Sequence, residues 1–247
     1  MRRIPPELAR KQIFTFDEAE RVFDVERESL RVLLSRMEEE GSIERIERGK
    51  YLVVPLTART GLYTLNEFAV GSELVEPYAI GYWSALSYHG LTEQIPGTVF
   101  IQTTSRKKKR DITIFGVRYL IVKLSDYRFF GIEDIWIEDK SVVVTNPEKT
   151  IVDCLDRPEY CGGVIEVAKA LRDGSFDYGV LSRYALDMNN SGVVRRLGFL
   201  CDYLGIPIEL PKIGTRNYLL LDPTMPGGGD ADSKWRLRVN IDLGDLE

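Results

Sequence analysis

Arg27, Glu28, Arg31 and Ser35 recur at three- and four-residue spacing, with Arg36 at the edge of the same side. On an α-helix that spacing gathers them on one face. Two guanidinium groups one turn apart near a helix N-terminus are the bidentate donors that guanine edges accept in the major groove of DNA. An ordinary solvated helix face would show the same residue types, so the helix alone decides nothing. The next residues shift the balance. Arg45, Arg48 and Lys50 cluster around Gly49 between two strand-like runs, which puts three cations on or beside a hairpin tip, where backbone phosphates would pass.

These side chains need a scaffold, and residues 15–55 supply one. Thr15 suits the N-cap of a short helix, followed by Asp17 and Glu18, which favour the positive end of the helix dipole. Ala19, Val22 and Phe23 form its apolar stripe. The chain turns over Asp24 and Val25, and a second helix is expected over residues 26–40 with Leu30, Leu33, Leu34 and Met37 facing the core. Gly41 ends it. Glu38, Glu39 and Glu40 close that helix and are expected to face away from the groove. Residues 42–46 alternate as a strand, residues 47–50 turn, and residues 51–54 return. Residues 5–12 read as the first helix, opened by Pro5 and Pro6, with Leu8, Ile13 and Phe14 packing on the helix pair.

Helix, turn, helix and hairpin in that order describe a winged helix-turn-helix, placed at residues 1–59. In this reading Arg27, Glu28, Arg31 and Ser35 read bases, Arg36 and the backbone at Thr15 hold phosphates, and Arg45, Arg48 and Lys50 grip the flanking backbone. Double-stranded DNA is the expected partner. One module has a small footprint, so two copies pairing on neighbouring half-sites are expected.

The bounds agree. The chain has 247 residues, 44% hydrophobic and 29% charged, as a globular protein does. It shows no apolar run long enough to span a membrane and no signal-peptide core, so a cytoplasmic protein is expected. The net charge of −5 is compatible with DNA only if the basic residues are concentrated on one surface. Cys154, Cys161 and Cys201 lack zinc or disulfide spacing and read as reduced thiols. His89 is the single histidine, placed at a helix end and bonded to local carbonyls.

After a connector at residues 57–65, residues 60–247 read as a larger mixed domain, giving an α+β fold overall. Helical patterns at residues 65–74 and 81–89 precede strand-like runs at 98–104, 112–115 and 118–124. Residues 126–137 read as an aromatic-rich connection in which Tyr127, Phe129, Phe130 and Trp136 pack into the core. A strand at 141–145 leads to a helix capped by Asn146 with Pro147 at its first position. Further helices follow at 164–171, 180–186 and 193–204, then strand-like runs at 217–221 and 235–241 with a glycine-rich loop between them.

The wing-containing segment, together with GYWSALSYHGLTEQIPGTVFIQTT, RFFGIEDIWI and NPEKTIVDCLDRPEYCGGVIEVAKAL, resembles the AbiEi family of antitoxins and transcriptional regulators. The resemblance implies an amino-terminal winged helix followed by a larger antitoxin domain. It also implies repression of the protein's own operon through inverted repeats, and a type IV arrangement in which a co-encoded nucleotidyltransferase toxin is neutralised directly or indirectly. A stand-alone regulator with a ligand-sensing or dimerising second domain and no toxin is the alternative.

A metal-dependent nucleotide-handling enzyme is a third reading, and the residues argue against it. Asp230 and Asp232 have the spacing of a carboxylate clamp but lack the Gly-Ser turn that a triphosphate needs, and Asp153 reads as a partner of Arg157 at i+4. No catalytic residues, metal or cofactor are expected. Arg106, Lys107, Lys108, Lys109 and Arg110 form a second basic patch between two strands. It reads either as a solubilising tip or as a contact for nucleic acid or an acidic toxin surface.

Overall fold

In a computed structural model, residues 4–54, 66–137 and 140–244 are described. The chain divides into two compact units, Met1–Glu73 and Leu74–Glu247. The boundary expected at residue 59/60 and the connector at 57–65 fall outside the described residues.

The first unit is built in the order α1 (Pro6–Lys11), β1 (Ile13–Thr15), α2 (Phe16–Phe23), α3 (Arg27–Glu39), β2 (Ile43–Glu47), β3 (Lys50–Val53) and α4 (Glu67–Gly71). Helix α4, expected to open the second domain, groups with this unit. Strand β1, which local pattern did not reveal, pairs antiparallel with β3 to give the sheet order β1-β3-β2. Leu8, Phe14, Ala19, Leu30, Leu34, Met37, Ile43, Tyr51 and Val53 form its core. The Phe14 and Tyr51 rings stack with centroids 5.6 Å apart, which locks β1 onto the wing.

The end of α3 is set by Gly41, at φ +65. The Gly41 N–H donates to the Glu38 carbonyl at 2.9 Å and the Ser42 N–H to the Met37 carbonyl at 2.8 Å. This paired closure satisfies carbonyls that the last helical turn would leave open and directs the chain into β2.

The second unit holds a mixed six-stranded sheet of order β6-β7-β5-β4-β9-β8. Its strands are β4 (Ala79–Ile80), β5 (Thr98–Thr103), β6 (Asp111–Ile114), β7 (Val117–Lys123), β8 (Ile132–Ile137) and β9 (Lys140–Thr145), with α5 (Tyr82–Tyr88) between β4 and β5. Four helices follow: α6 (Pro147–Asp156), α7 (Val164–Asp173), α8 (Tyr178–Asp187) and α9 (Ser191–Leu204). A small sheet of order β10-β12-β11 completes it, from Leu219–Leu220, Leu237–Val239 and Asp230–Asp232. Asn146 caps α6 as its sequence predicts, its side chain accepting from the Lys149 N–H at 2.9 Å.

The aromatic connection proves different from the expectation. Its second half is β8, an edge strand paired antiparallel with β9. Trp136 is 74% exposed and Tyr127 is 55% exposed, so neither packs into the core. Phe129 and Phe130 do pack against it. Among the helices, α9 carries Gly198 at a point of close approach: a Cβ there would lie 2.3 Å from the Trp235 ring. That indole lies buried against the helix, its N–H held by the Asp202 carboxylate at 2.6 Å.

Candidate nucleic-acid interface

Helix α2 starts with a reciprocal cap. The Glu18 N–H donates to the Thr15 hydroxyl at 3.2 Å, while the Thr15 N–H donates to the Glu18 carboxylate at 2.7 Å. Burial alone would raise the Glu18 pKa, but the Lys11 ammonium and the Thr15 backbone and hydroxyl bonds outweigh it and pull the carboxyl down to about 2. Thr15 was expected to offer its backbone to a phosphate. Its N–H is already engaged by Glu18, so the geometry assigns it capping and leaves no free donor there.

Asp24, left-handed at φ +48, closes α2 and turns the chain into α3. The first side chain of α3 on the groove side is Arg27, and it is anchored. Its guanidinium lies 2.8 Å from the Glu20 carboxylate, 3.3 Å from that of Asp17, and 5.0 Å from the centroid of the Phe16 ring. Arg31 one turn on pairs with Glu28 of its own helix, and both side chains are more than half exposed.

The wing meets this face. Strands β2 and β3 run antiparallel with a register shift between Arg45 and Glu47, and the turn is made by Arg48 and Gly49, the latter at φ +75. The Gly49 carbonyl accepts from the Phe16 N–H at 2.7 Å, tying the wing tip to the start of α2. Between helix and wing lies an open groove of about 540 Å³, lined by Arg27, Arg31, Ser35, Arg45 and Arg48 and by the Glu38 carboxylate, with Phe16 and Tyr51 also on its wall. Five of the nine expected contact residues therefore converge on one concavity. Four guanidinium groups and the Glu38 carboxylate line it, with Arg27 and Arg31 also paired to carboxylates beside it, so the chain's basic groups are gathered here although the whole chain is acidic.

The other four sit elsewhere. Glu28 and Arg36 border a shallow depression on the outer flank of α3 with Ser29, Val32 and Leu33. Thr15 is the cap just described. Lys50 directs its ammonium to the Glu73 carbonyl after α4, so the hairpin tip presents Arg48 rather than Lys50. Glu38 is the residue sequence reasoning misplaced: it faces into the groove, not away from it. Its position seven residues after Arg31 is the signal that could have found it, since i and i+7 share a helix face.

In the second unit, the basic patch lies between β5 and β6. Arg106, Lys108, Lys109 and Arg110 are exposed, while the Lys107 ammonium donates to the Leu74 carbonyl at 2.5 Å. Asp153 does not pair with Arg157. It is buried with Lys149, four residues earlier, and accepts a 2.7 Å bond from the Gln102 side chain. Burial pushes its pKa up, while the Lys149 charge and the Gln102 bond oppose that shift. Lys149 also lies 4.8 Å from the Phe130 ring centroid. The pair is fully enclosed and links α6 to β5.

The ring of His89 bonds to the Thr145 carbonyl at 2.7 Å, across the fold rather than locally. Asp230 and Asp232 belong to β11 and not to a loop, and Asp232 accepts from the Trp235 N–H at 2.6 Å. The three cysteines are free and buried, and burial pushes the Cys154 thiol well up and that of Cys201 to about 12, which keeps both protonated. Among the described residues, no three His, Cys, Asp or Glu side chains converge as metal ligands, and no helix is long and apolar enough to cross a membrane.

Residues 2–54 match the family model described as transcriptional regulator, AbiEi antitoxin. The amino-terminal unit is a winged helix, and the chain as a whole is a mixed α/β protein. The match ends ahead of the second unit, so the segments there that resemble the family lie outside it. Across both units the chain is similar to the crystal structure of the RV2827C protein from Mycobacterium tuberculosis. The TM-score is 0.64 at 16% identity, over 96% of this chain and 92% of that one, a likeness of fold. No curated protein matches.

Proposed function

We propose that this protein is a cytoplasmic, DNA-binding repressor of its own operon and the antitoxin to a co-encoded nucleotidyltransferase toxin, acting without catalysis. One observation supports the DNA reading above all: Arg27, Arg31, Arg45 and Arg48, from two separate elements, face one groove between α3 and the wing. A duplex laid there meets base edges along α3 and phosphates along the wing. The family match over residues 2–54 supports the regulatory role, and the antitoxin role rests on the same family. Inverted repeats would seat two copies, one per half-site.

The test is binding of the full chain to the duplex upstream of its own start codon, from low to physiological salt. Specific binding should fall steeply with salt and be weakened by Arg31→Ala and Arg48→Ala. Equal binding to unrelated duplexes, or indifference to both substitutions, overturns the proposal. The antitoxin arm is tested by co-expression with the adjoining open reading frame: a toxic neighbour must lose its toxicity.

A further inference from the structure

Val32 is the one large hydrophobic side chain in the described part of the first unit that is mostly exposed, at 53%. Its helix buries Leu30, Leu34 and Met37 on the core side, so Val32 looks outward, away from the core. It stands one turn before Ser35, which lines the groove, and one turn from both Glu28 and Arg36. With Glu28, Ser29, Leu33 and Arg36 it borders a depression of about 450 Å³ beside the arginine-lined groove. A β-branched residue gains nothing for helix propensity at an exposed site, where straight-chain polar residues do better.

Resting on the DNA reading above, we infer that Val32 is a specificity-determining residue that packs against the 5-methyl group of a thymine in each half-site. The major groove offers one apolar group in unmodified DNA, and it is that methyl. The charge of the neighbouring arginines makes a duplex, rather than an apolar protein surface, the occupant this face fits. Arg31 and Ser35 read polar edges on one side of the helix, and Val32 reads an apolar one beside them.

Thymine-to-deoxyuridine scanning tests this, because each exchange removes one methyl group and leaves every hydrogen bond in place. The full chain and its Val32→Ala variant are titrated against the upstream duplex, with thymines replaced one at a time. In the wild type, one position per half-site should lose about 3- to 10-fold in affinity, the value of one buried methyl group. Val32→Ala should bind the unmodified duplex that much more weakly and show no further loss at the same position. Uracil tolerated everywhere, or a loss that persists in Val32→Ala, overturns the assignment. So does a Val32→Ala variant whose only change is its oligomeric state. Wild-type binding that responds to Arg31→Ala but not to uracil removes Val32 alone. Absence of sequence-specific binding removes the DNA reading with it.

Discussion

Arg27 reaches back from the first turn of α3 to Glu20 of α2, with 2.8 Å between guanidinium and carboxylate. The contact bridges the two helices, and it separates two arginines that look equivalent in the sequence. Arg27 is held by the preceding helix, whereas Arg31 pairs with Glu28 on its own exposed face. Exposed ion pairs are worth about 0–1 kcal/mol each, so Arg31 gives up one such pair to reach a base, whereas Arg27 would leave two carboxylates and the Phe16 ring.

The two should therefore fail differently. Arg31→Ala should cost about 1–3 kcal/mol at the cognate site and relax preference at one base pair. Arg27→Ala should lower the thermal midpoint of the first unit slightly and weaken cognate and unrelated duplexes alike. Competition titrations against single-position variants of the site distinguish these outcomes. Matching base-specific losses in both variants would contradict the anchoring role.

Arg48 sits at the wing turn and is exposed. Arg48→Ala should weaken every duplex and flatten the plot of log affinity against log salt by roughly one unit of slope, the mark of one lost phosphate contact. An unchanged slope would place the wing away from the backbone.

Glu38 is the anion among the groove arginines. Its charge repels phosphate, so Glu38→Gln should tighten binding to any duplex by roughly 2- to 5-fold at low salt, with the gain fading as salt screens it. A loss confined to one base pair would instead show that the carboxylate accepts from a base amine. Either result reads directly from the salt series.

Glu18 sets a pH dependence with a defined sign. Its carboxyl titrates at about 2 in the fold against an ordinary 4.5, so its contribution to stability is present above pH 4.5 and is lost as pH falls toward 2. Glu18→Gln should melt below wild type at pH 7 and converge with it near pH 2. Thr15→Ala removes the hydroxyl cap and should cost about 1 kcal/mol at pH 7. Thermal melts across that range give the answer, and parallel curves would mean that the cap contributes nothing.

In the second unit, Asp153→Ala leaves the Lys149 charge buried without its carboxylate and should cost about 3–5 kcal/mol. Replacing both residues with apolar ones of similar size should recover part of that loss. Denaturant unfolding of the single and double variants measures it. A single variant as stable as wild type would show that the pair opens to water.

What could be read in advance followed the range over which its cause acts. The helix pair, the wing, the Gly41 stop and the Asn146 cap are written in runs of a few residues, where apolar period and capping chemistry decide. Strand β1 is three residues long and becomes a strand only because β3 pairs with it. Edge strand β8 (IEDIWI) carries apolar residues on both faces, and only its tertiary packing leaves Ile132 and Trp136 exposed while Ile135 is buried. Lys50 bonds to Glu73, 23 residues away, and Asp153 adds to its local partner Lys149 a bond from Gln102, 51 residues away, beyond any local pattern. In the groove between α3 and the wing, the grouping of Arg31, Ser35, Arg45 and Arg48 was legible from residue type and spacing. The tether on Arg27 and the inward turn of Glu38 needed coordinates.

The notch at Gly198 ties the packing of α9 to a distant residue. The indole of Trp235 fills the space that any other residue at position 198 would occupy, so without residue 235 the helical layer has an unfilled slot. A fragment cut between the two, which lie 37 residues apart, keeps the notch and loses the ring that fills it.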